Sequence, residues 1–561
     1  MKVALLLAPS ELPLYASPNL PPLPLGVITG YLRGQGVEVD PYDLNIDLKR
    51  LAAKLDKKAL RPFYDGRAVI DFLDGAENHF FNAFIADLLA NKDLRQYDAV
   101  GISCGADFSW LEIHLAFLLG KYIQRRYAKP IVFGGNNVAY LLLFKDTFRV
   151  LWESVLRNFH FVITGPGEVA FYRILQRLGP NVVEQPTEKI NGLVYLDHRG
   201  DIASFPEQLP LVIKPDFRGL ELDQYVHHIG VHQKDALNGA AVEKQSRTQI
   251  FKWPPYLALY ANDVYARRQG PTVIERLIIP YVFNYNCPYN CAFCSQSAET
   301  RQHVILGDVI QVVNDIEALI HEYSTNYFYF FNNAFNYSTK FVIQFCEEVM
   351  RRGLKFNWSD CARFNNVDFE LLQRMREAGC QKLVFGLETA SPKILKLIDK
   401  RLDLAQVKQV LAWCHALGIW PDLEIIVGLP HESEEDFRET CYFIQENSEF
   451  INYMNINVYF IVPDSLIGRY PERYGIEILR EPNAYERLLE ANSRWLSSGL
   501  DLSYRPQNFS VHKFNEVNGS TAQDITAANH RKVAAMNRLQ RREFSEVWHV
   551  LTILDPERKK N

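Results

Sequence analysis

Short apolar runs alternate with longer segments of helical periodicity over the first third of the chain. The apolar runs predict strands at Val3–Leu7, Val37–Tyr42, Val100–Ser103, Ile131–Phe133 and Phe161–Thr164. The segments with helical periodicity predict helices at Leu25–Gln35, Val69–Ala90, Ser109–Tyr127 and Glu168–Leu178. Residues 1–180 are therefore predicted to form an α/β domain, with a parallel sheet covered by helices on both faces.

The same alternation returns in the second half of the chain. Residues 181–275 lack it: a short hairpin is predicted at Asn191–Ser204, and the polar and aromatic remainder is interpreted as a linker and an insertion. Over residues 276–465, six strands alternate with helices and predict a partial (β/α)6 barrel of the TIM type. These strands are predicted at Leu277–Phe283, Tyr327–Phe331, Lys355–Trp358, Lys382–Gly386, Leu423–Gly428 and Met454–Ile461. Residues 466–561 show mainly helical patterns and are predicted to form a C-terminal domain.

Composition narrows the classes of partner. The 561 residues carry a net charge of only −5, without a long basic run, so nucleic acid is not expected as a partner. No apolar stretch is long enough for a membrane span, and the apolar start is too short for a secretion signal. Six of the nine cysteines are scattered, which argues against a disulfide framework. We therefore expect a cytoplasmic protein.

Three cysteines stand directly after the first strand of the predicted barrel. Cys287, Cys291 and Cys294 form a Cys-x3-Cys-x2-Cys run. Thiolates ligate iron–sulfur clusters, which ordinarily take four of them. Three would leave one iron of a [4Fe–4S] cluster open to a substrate or cofactor. The alternatives are a structural zinc site and chance clustering; a zinc site usually needs a fourth Cys or His, and this loop has none.

Glycine-rich turns follow two strands of the N-terminal domain. They contain Gly134-Gly135 and Gly165-x-Gly167, at strand ends where ligands bind in such folds. The alternative is that they are only tight turns. The Gly-x-Gly-x-x-Gly dinucleotide fingerprint does not follow the first strand.

Three motifs in order make the chain resemble the radical S-adenosylmethionine (SAM) enzymes. They are the cysteine run with Phe293 before its last cysteine, Gly386–Ser391, similar to Gly-x-Glu-x-x-Ser, and Ile425–Ser433, similar to Gly-Leu-Pro-x-Glu-(Thr/Ser). The N-terminal residues resemble the Rossmann-like cobalamin-binding domain of some members, through Pro21–Gly26, Gly36–Val39, Val100–Ser103, Gly134-Gly135 and Gly165–Glu168. The Asp-x-His-x-x-Gly motif of other cobalamin proteins is not found, and many enzymes of this family also lack it.

The resemblance implies a cofactor set and a reaction. A [4Fe–4S] cluster on the three cysteines would bind SAM, a reductant such as flavodoxin or ferredoxin would supply an electron, and a 5′-deoxyadenosyl radical would attack a small-molecule substrate. With cobalamin as methyl carrier, the expected reaction is methylation of an unactivated carbon. The alternatives are a rearrangement, cyclisation or oxidation without methyl transfer, and a non-catalytic electron carrier or corrinoid-binding protein.

The resemblance also implies contact residues. Those for SAM are Phe293, Asn332, Arg363, Glu388, Ser391, Gly428, Leu429 and Pro430. Those for cobalamin are Leu23, Gly26, Ser103, Gly134, Gly135, Gly165, Gly167 and Glu168. Structural roles stay open for several: an ion pair at Glu388 or Arg363, a helix cap at Ser391, and a plain turn at Gly428–Pro430. Asn332 stands where the family often has an acidic residue, so its contact would lack charge assistance.

Overall fold

The chain forms two compact units. The structure is a computed structural model, and it describes residues 1–10, 20–52, 57–105, 109–178, 189–231, 272–296, 303–451, 453–479, 484–497, 512–517 and 519–544. The first unit comprises Met1–Tyr225 and Glu481–Val511, and the second comprises Val226–Arg480 and His512–Asn561. Residues 466–561, which the sequence groups together, are thus divided between the two units. The predicted insertion at 228–272 lies almost wholly outside the described residues.

The first unit is built on a five-stranded parallel sheet in the order β2-β1-β3-β4-β5. Its strands are β1 (Lys2–Leu7), β2 (Glu38–Asp43), β3 (Ala99–Ser103), β4 (Ile131–Gly134) and β5 (Phe161–Val162). Side chains of β1 alternate between two cores, Ala4 and Leu6 in one and Val3 and Leu5 in the other. Both faces are therefore covered, as the apolar runs predict.

Helices cover both faces of this sheet. They are α1 (Leu23–Gly34), α2 (Leu44–Ala52), α3 (Gly66–Leu73), α4 (His79–Leu88), α5 (Trp110–Tyr127), α6 (Asn136–Leu143), α7 (Arg149–Asn158) and α8 (Glu168–Arg177), with 3-10 turns at Lys57–Tyr64, Leu94–Gln96 and Leu222–Tyr225. The single helix predicted over Val69–Ala90 is wrong: Gly75, at φ +123°, ends α3, and the Asn78 side chain caps α4. The predicted hairpin is present as β6 (Val194–Leu196) and β7 (Ile202–Ser204).

A helix from the C-terminal part of the chain completes the first unit. This helix, Ala484–Ser497, contributes Tyr485 and Leu489 to the core. The Tyr485 hydroxyl lies 2.7 Å from Nε2 of the buried His114, and its ring lies 4.9 Å from that of Trp110.

The second unit is built on six parallel strands that pair in chain order, which is the topology of a partial barrel. After an antiparallel pair, β8 (His227–Val231) with β9 (Thr272–Arg276), the barrel strands are β10 (Ile278–Tyr281), β13 (Tyr327–Phe330), β14 (Asn357–Ala362), β15 (Cys380–Glu388), β16 (Trp420–Val427) and β17 (Tyr453–Val458). The short pair β11 (Asn284–Tyr285) and β12 (Ile305–Leu306) flanks the cysteine loop. The fold class predicted from the sequence is confirmed.

Helices alternate with the barrel strands. They are α9 (Val309–Tyr323), α10 (Thr339–Arg351), α11 (Phe369–Glu377), α12 (Pro392–Leu397), α13 (Leu404–Leu417), α14 (Glu434–Glu446) and α15 (Leu466–Arg469), with 3-10 turns at Phe335–Tyr337 and Pro471–Tyr474. The C-terminal part adds the long helix Ala522–Phe544, which packs on β16 and β17, and an antiparallel strand pair, β18 (Ile476–Leu479) with β19 (Lys513–Glu516). The sequence analysis did not predict that strand pair.

Candidate functional site

The cysteine loop leaves the carboxyl end of β10, where Asn332 fixes its entry. The Asn332 Oδ1 accepts hydrogen bonds from the backbone N–H groups of Phe283 (3.0 Å) and Asn284 (2.8 Å). Its Nδ2 donates to Asp360 Oδ2 at 2.6 Å. Asn332, predicted as a SAM contact, is therefore buried and engaged in holding the loop entry, and its contact with SAM remains a prediction.

Backbone hydrogen bonds tie the loop to two neighbouring elements. Ala292 N–H donates to the carbonyl of Ile398 (2.9 Å), and the carbonyl of Ala292 accepts from Ile467 (3.0 Å). Within the loop, Cys294 N–H donates to the carbonyl of Cys291 at 3.0 Å. The turn that carries the thiols is thus anchored from both sides.

The three thiols are free, and burial raises the pKa of Cys294 to about 11. In the described ranges, no three side chains of His, Cys, Asp or Glu converge where a single metal ion could bind. Mononuclear zinc needs such convergence, whereas a cubane cluster binds each thiolate at a different iron atom. The described residues thus show no single-ion site, and a cluster on these three thiols remains a prediction.

Hydrogen-bond donors surround the thiols. The Arg363 guanidinium stacks 3.7 Å from the ring centroid of Tyr289, and its Nη1 lies 3.7 Å from Cys291 Sγ. The Nε of Arg363 is buried and lacks a hydrogen-bond partner among the described residues. The buried Tyr337 hydroxyl faces the Cys287 thiol without forming a regular hydrogen bond; burial, and then Cys287, raise the pKa of Tyr337. These unsatisfied donors suit an anionic, sulfur-rich group.

Glu388, at the end of β15, forms a buried ion pair with Lys400. The Lys400 Nζ lies 2.6 Å from Glu388 Oε1, and the two side chains are only 6% and 8% exposed. A Cβ on Gly386 would lie 2.5 Å from that oxygen and 2.7 Å from Nζ, so the glycine of this motif leaves room for the pair. Lys400 also lies 5.8 Å from the ring centroid of Phe293, in the cysteine loop. The ion pair thus connects two of the three motifs.

Ser391 connects the second motif to the third. Its hydroxyl donates to Asp436 Oδ1 at 2.6 Å and makes no cap bond to its own helix, so the predicted capping alternative is not observed. Asp436 also accepts from Lys393 and Ser433, within the capping box of α14. Although burial acts in the opposite direction, these hydrogen bonds lower the pKa of Asp436 below its usual range.

An apolar cluster lies beneath the three motifs. It packs Ala292 of the cysteine loop, Ile394 and Ile398 after the second motif, and Leu429 of the third into one core, with Phe293 against its side. Pro430 is also buried. The three motifs are therefore assembled at the carboxyl ends of β10, β15 and β16, as expected for a barrel site.

The sequence analysis missed an acidic position on the inner face of the sheet. Glu424 of β16 lies opposite Gly386 in the strand register and accepts hydrogen bonds from Asn455 (2.9 Å) and Asn457 (2.8 Å) of β17. Burial, with Glu388 nearby, raises the pKa of Glu424 to about 7. Alternation along the strands places Glu424 inward, but only the observed register shows its neighbours.

The C-terminal part of the chain, which contains none of the three motifs, contacts the third motif. Lys532 Nζ lies 2.9 Å from Glu432 Oε2, and both side chains are almost fully buried. Glu516 Oε1 accepts a 2.6 Å hydrogen bond from the backbone of His431, which has φ +60°. Glu432 Oε2 in turn accepts from the backbone N–H of Gly428 at 2.9 Å.

The predicted cobalamin contacts lie on the first unit, at or near the carboxyl edge of its sheet. A Cβ on Gly134 or Gly167 would meet no atom closer than 3.8 Å, and both residues are half-buried, so no protein side chain covers their backbone. At the other three glycines, protein atoms occupy the space that a side chain would need: Phe217 at Gly26, the carbonyl of Cys104 at Gly135 and Glu207 at Gly165.

The other predicted cobalamin contacts take varied positions. Leu23 is half-buried at the start of α1, and Ser103 is buried at the end of β3. The Glu168 carboxylate is buried and accepts backbone hydrogen bonds from Gly167, Leu211 and its own residue, yet burial raises its pKa. These contacts remain predictions.

A buried polar network ties the loops after β3 and β4. Glu112 accepts from the backbone N–H of Gly105 (2.6 Å) and from the Asn137 side chain (3.0 Å). Both residues are fully buried. Sequence reasoning missed this pair because only the fold brings the two loops together.

Comparison with known proteins agrees with this geometry. Residues 281–444 match the family model of the Radical SAM superfamily. The chain is 25% identical over 295 residues to the anaerobic magnesium-protoporphyrin IX monomethyl ester cyclase of Rubrivivax gelatinosus, covering 52% of this chain and 46% of the cyclase. The chain spans less than half the length of the first curated relatives it matches.

Two solved structures share the fold. The radical SAM methyltransferase TsrM from Kitasatospora setae, with tryptophan and a SAM analogue bound, aligns with a TM-score of 0.54 and 16% identity, over 86% of this chain and 79% of TsrM. The cobalamin-dependent radical SAM enzyme OxsB, with aqua-cobalamin and SAM bound, aligns with a TM-score of 0.56 and 14% identity, over 100% of this chain and 75% of OxsB. This chain therefore carries a radical SAM domain and has the fold of the cobalamin-dependent radical SAM enzymes.

Proposed function

We propose that this chain is a cobalamin-dependent radical SAM enzyme that methylates an unactivated carbon of a small molecule. The observation that carries the proposal is that a loop with three free thiols lies beside unsatisfied donors and the Glu388–Lys400 pair at the carboxyl ends of the barrel strands. When bound, the cluster and SAM supply a 5′-deoxyadenosyl radical, and cobalamin supplies a methyl group.

The residues of the chain would bind and position these groups. Cys287, Cys291 and Cys294 would hold the cluster, and the apolar cluster under the loop keeps them in place. The Arg363 guanidinium, already oriented by Tyr289, would pair with the SAM carboxylate, since a guanidinium matches a carboxylate in a bidentate manner. Glu388 would accept from the SAM ribose or amino group, with Lys400 fixing its carboxylate.

Support for cobalamin comes from the first unit. Its strand order is that of the flavodoxin-like sheets, in which ligands bind beyond the carboxyl ends of the strands. No protein side chain covers the backbone of Gly134 and Gly167 there, where a large flat ligand could approach closely. TsrM and OxsB, which share the fold, bind cobalamin.

A second candidate is a ring closure or other rearrangement without methyl transfer. The observation that favours it is the similarity to the anaerobic cyclase, over about half of this chain. For either reaction, the free cysteines suit a reducing, cytoplasmic setting with flavodoxin or ferredoxin as reductant. Among the described residues, no helix is both long and apolar enough to cross a bilayer.

Anaerobic reconstitution with iron, sulfide and hydroxocobalamin tests the proposal. We expect about four irons and one cobalamin per chain and, with dithionite and SAM, formation of 5′-deoxyadenosine. Cys291→Ala should abolish iron loading and 5′-deoxyadenosine. Cys346→Ala, at a cysteine of α10 whose charged neighbours lie on α10 and α11, should retain both and serves as the matched control. Zinc in place of iron would contradict the proposal.

Product mass separates the two reactions. Methyl transfer adds one CH2 to the substrate and forms S-adenosylhomocysteine, whereas a rearrangement leaves the mass unchanged and ring closure by oxidation lowers it. Incubation with a fractionated small-molecule extract and methyl-labelled SAM would show which occurs. A protein that loads iron and cobalamin but transfers no label to any fraction would contradict methyl transfer.

A further inference from the structure

The C-terminal helix Ala522–Phe544 brings a side-chain amide to the turn after β16. A Cβ on Gly428 would lie 2.3 Å from both Oδ1 and Nδ2 of Asn529. Gly428 also has φ +83°, a conformation that L side chains rarely adopt. The Asn529 amide therefore lies directly against the Cα of Gly428, and only a residue without a side chain leaves space for it there.

This amide has no protein partner. Asn529 is only 9% exposed, and within the described part of the chain its side-chain amide forms no hydrogen bond; the amide atoms are not among the fully buried ones, so solvent reaches them. Other polar groups of the same helix are engaged: Lys532 bonds to Glu432, and Thr526 donates to the carbonyl of Ala522. An amide that no protein group satisfies and that solvent can reach is available to bind a polar ligand at this turn.

The position of the amide is fixed before any ligand binds. The Lys532 ammonium donates to both the carboxylate (2.9 Å) and the carbonyl (3.0 Å) of Glu432. Strand β19 is tied to the same turn, because Glu516 accepts from the backbone of His431. The Lys532 contacts hold the helix against the turn, which lowers the conformational cost of binding.

An amide side chain is well suited to an adenine edge. It donates and accepts in one plane, and so it pairs with the 6-amino group of adenine together with an adjacent ring nitrogen. The turn at Gly428–Pro430 holds three of the predicted SAM contacts, and adenine is the planar part of SAM that carries such an edge. We propose that Asn529 binds the adenine base of SAM through its 6-amino group, an inference that rests on the proposed use of SAM.

The test measures base preference in binding rather than activity. The probes are S-adenosylhomocysteine and its analogue with hydrogen in place of the 6-amino group, bound to the anaerobic, cluster-loaded full chain in equilibrium dialysis. We expect the wild-type protein to prefer the adenine compound about tenfold. Asn529→Ala should bind S-adenosylhomocysteine about tenfold more weakly and should lose the preference. Arg531→Ala, at an exposed neighbour on the same helix, should retain both and is the control.

Two results would overturn the assignment. If Asn529→Ala weakens both compounds by the same factor, Asn529 only packs against Gly428. If the wild-type protein shows no preference for the 6-amino group, Asn529 does not recognise the adenine base, and this conclusion does not depend on whether the variant folds. Failure of the proposed function looks different, because the cluster-loaded wild-type protein would then bind neither compound.

Discussion

Removing the ammonium of Lys400 should expose how much the second motif depends on its buried ion pair. At 2.6 Å and an effective dielectric constant of about 20, the attraction to Glu388 is roughly 6 kcal/mol, part of which is offset by desolvation. Lys400→Met keeps the volume of the stem but leaves Glu388 buried without its counter-charge. We expect the free energy of unfolding to fall by about 3–5 kcal/mol.

Urea unfolding of the cluster-free protein measures this loss. The double variant Lys400→Met with Glu388→Gln should recover most of it, because no unpaired charge then remains, giving a coupling energy of about 2–3 kcal/mol. Arg401→Met is the matched control: the Arg401–Asp399 pair is 70% and 40% exposed, and its loss should cost at most about 1 kcal/mol. A loss below about 1 kcal/mol for Lys400→Met would refute the reasoning.

Three further predictions concern the barrel. Burial raises the pKa of Glu424 from 4.5 to about 7, so the ionised carboxylate destabilises the folded state. Relative to Glu424→Gln, the wild-type free energy of unfolding should therefore fall by up to about 3 kcal/mol between pH 5 and pH 8, as measured by urea titration. A difference that stays constant with pH would contradict this. Gly428→Ala should lower the melting temperature more than Gly353→Ala. Both glycines have a positive φ (+83° and +65°), but only the Cβ added at position 428 would collide with another residue, Asn529. Equal shifts in melting temperature would count against that contact. Asn332→Ala should cost about 2–3 kcal/mol in urea unfolding and reduce iron loading, since two buried backbone N–H groups lose their acceptor; unchanged iron content would show that this anchor does not hold the cysteine loop.

The sequence predicted the sheets well because their signals are local. Apolar runs and helical periodicity located all six barrel strands to within a few residues. Strand order followed because consecutive parallel strands joined by helices pair as neighbours. The break between α3 and α4 was missed, although the mainly polar stretch Asp74–His79, with Gly75 and the cap residue Asn78, marks it in the sequence.

The candidate site was predicted only in part, because its supporting contacts are long-range. The motifs indicated Cys291, Glu388 and Gly428, but no local pattern indicates that Lys400 neutralises Glu388. The contacts from the C-terminal helix cross about a hundred residues of sequence, for example from Lys532 to Glu432. Asn332 illustrates a different limit: an amide suits a cofactor contact and a backbone anchor equally well, and only coordinates distinguish the two.

The helix Ala484–Ser497 makes the first unit discontinuous in sequence, with a practical consequence for anyone dissecting the protein. A gene fragment ending near residue 225 would encode the whole parallel sheet but would leave Trp110 uncovered and His114 without the Tyr485 hydroxyl. Such a fragment should be poorly soluble by itself and should be rescued by grafting residues 481–511 onto its end through a flexible linker. Cobalamin titrations on an isolated N-terminal half would need that graft.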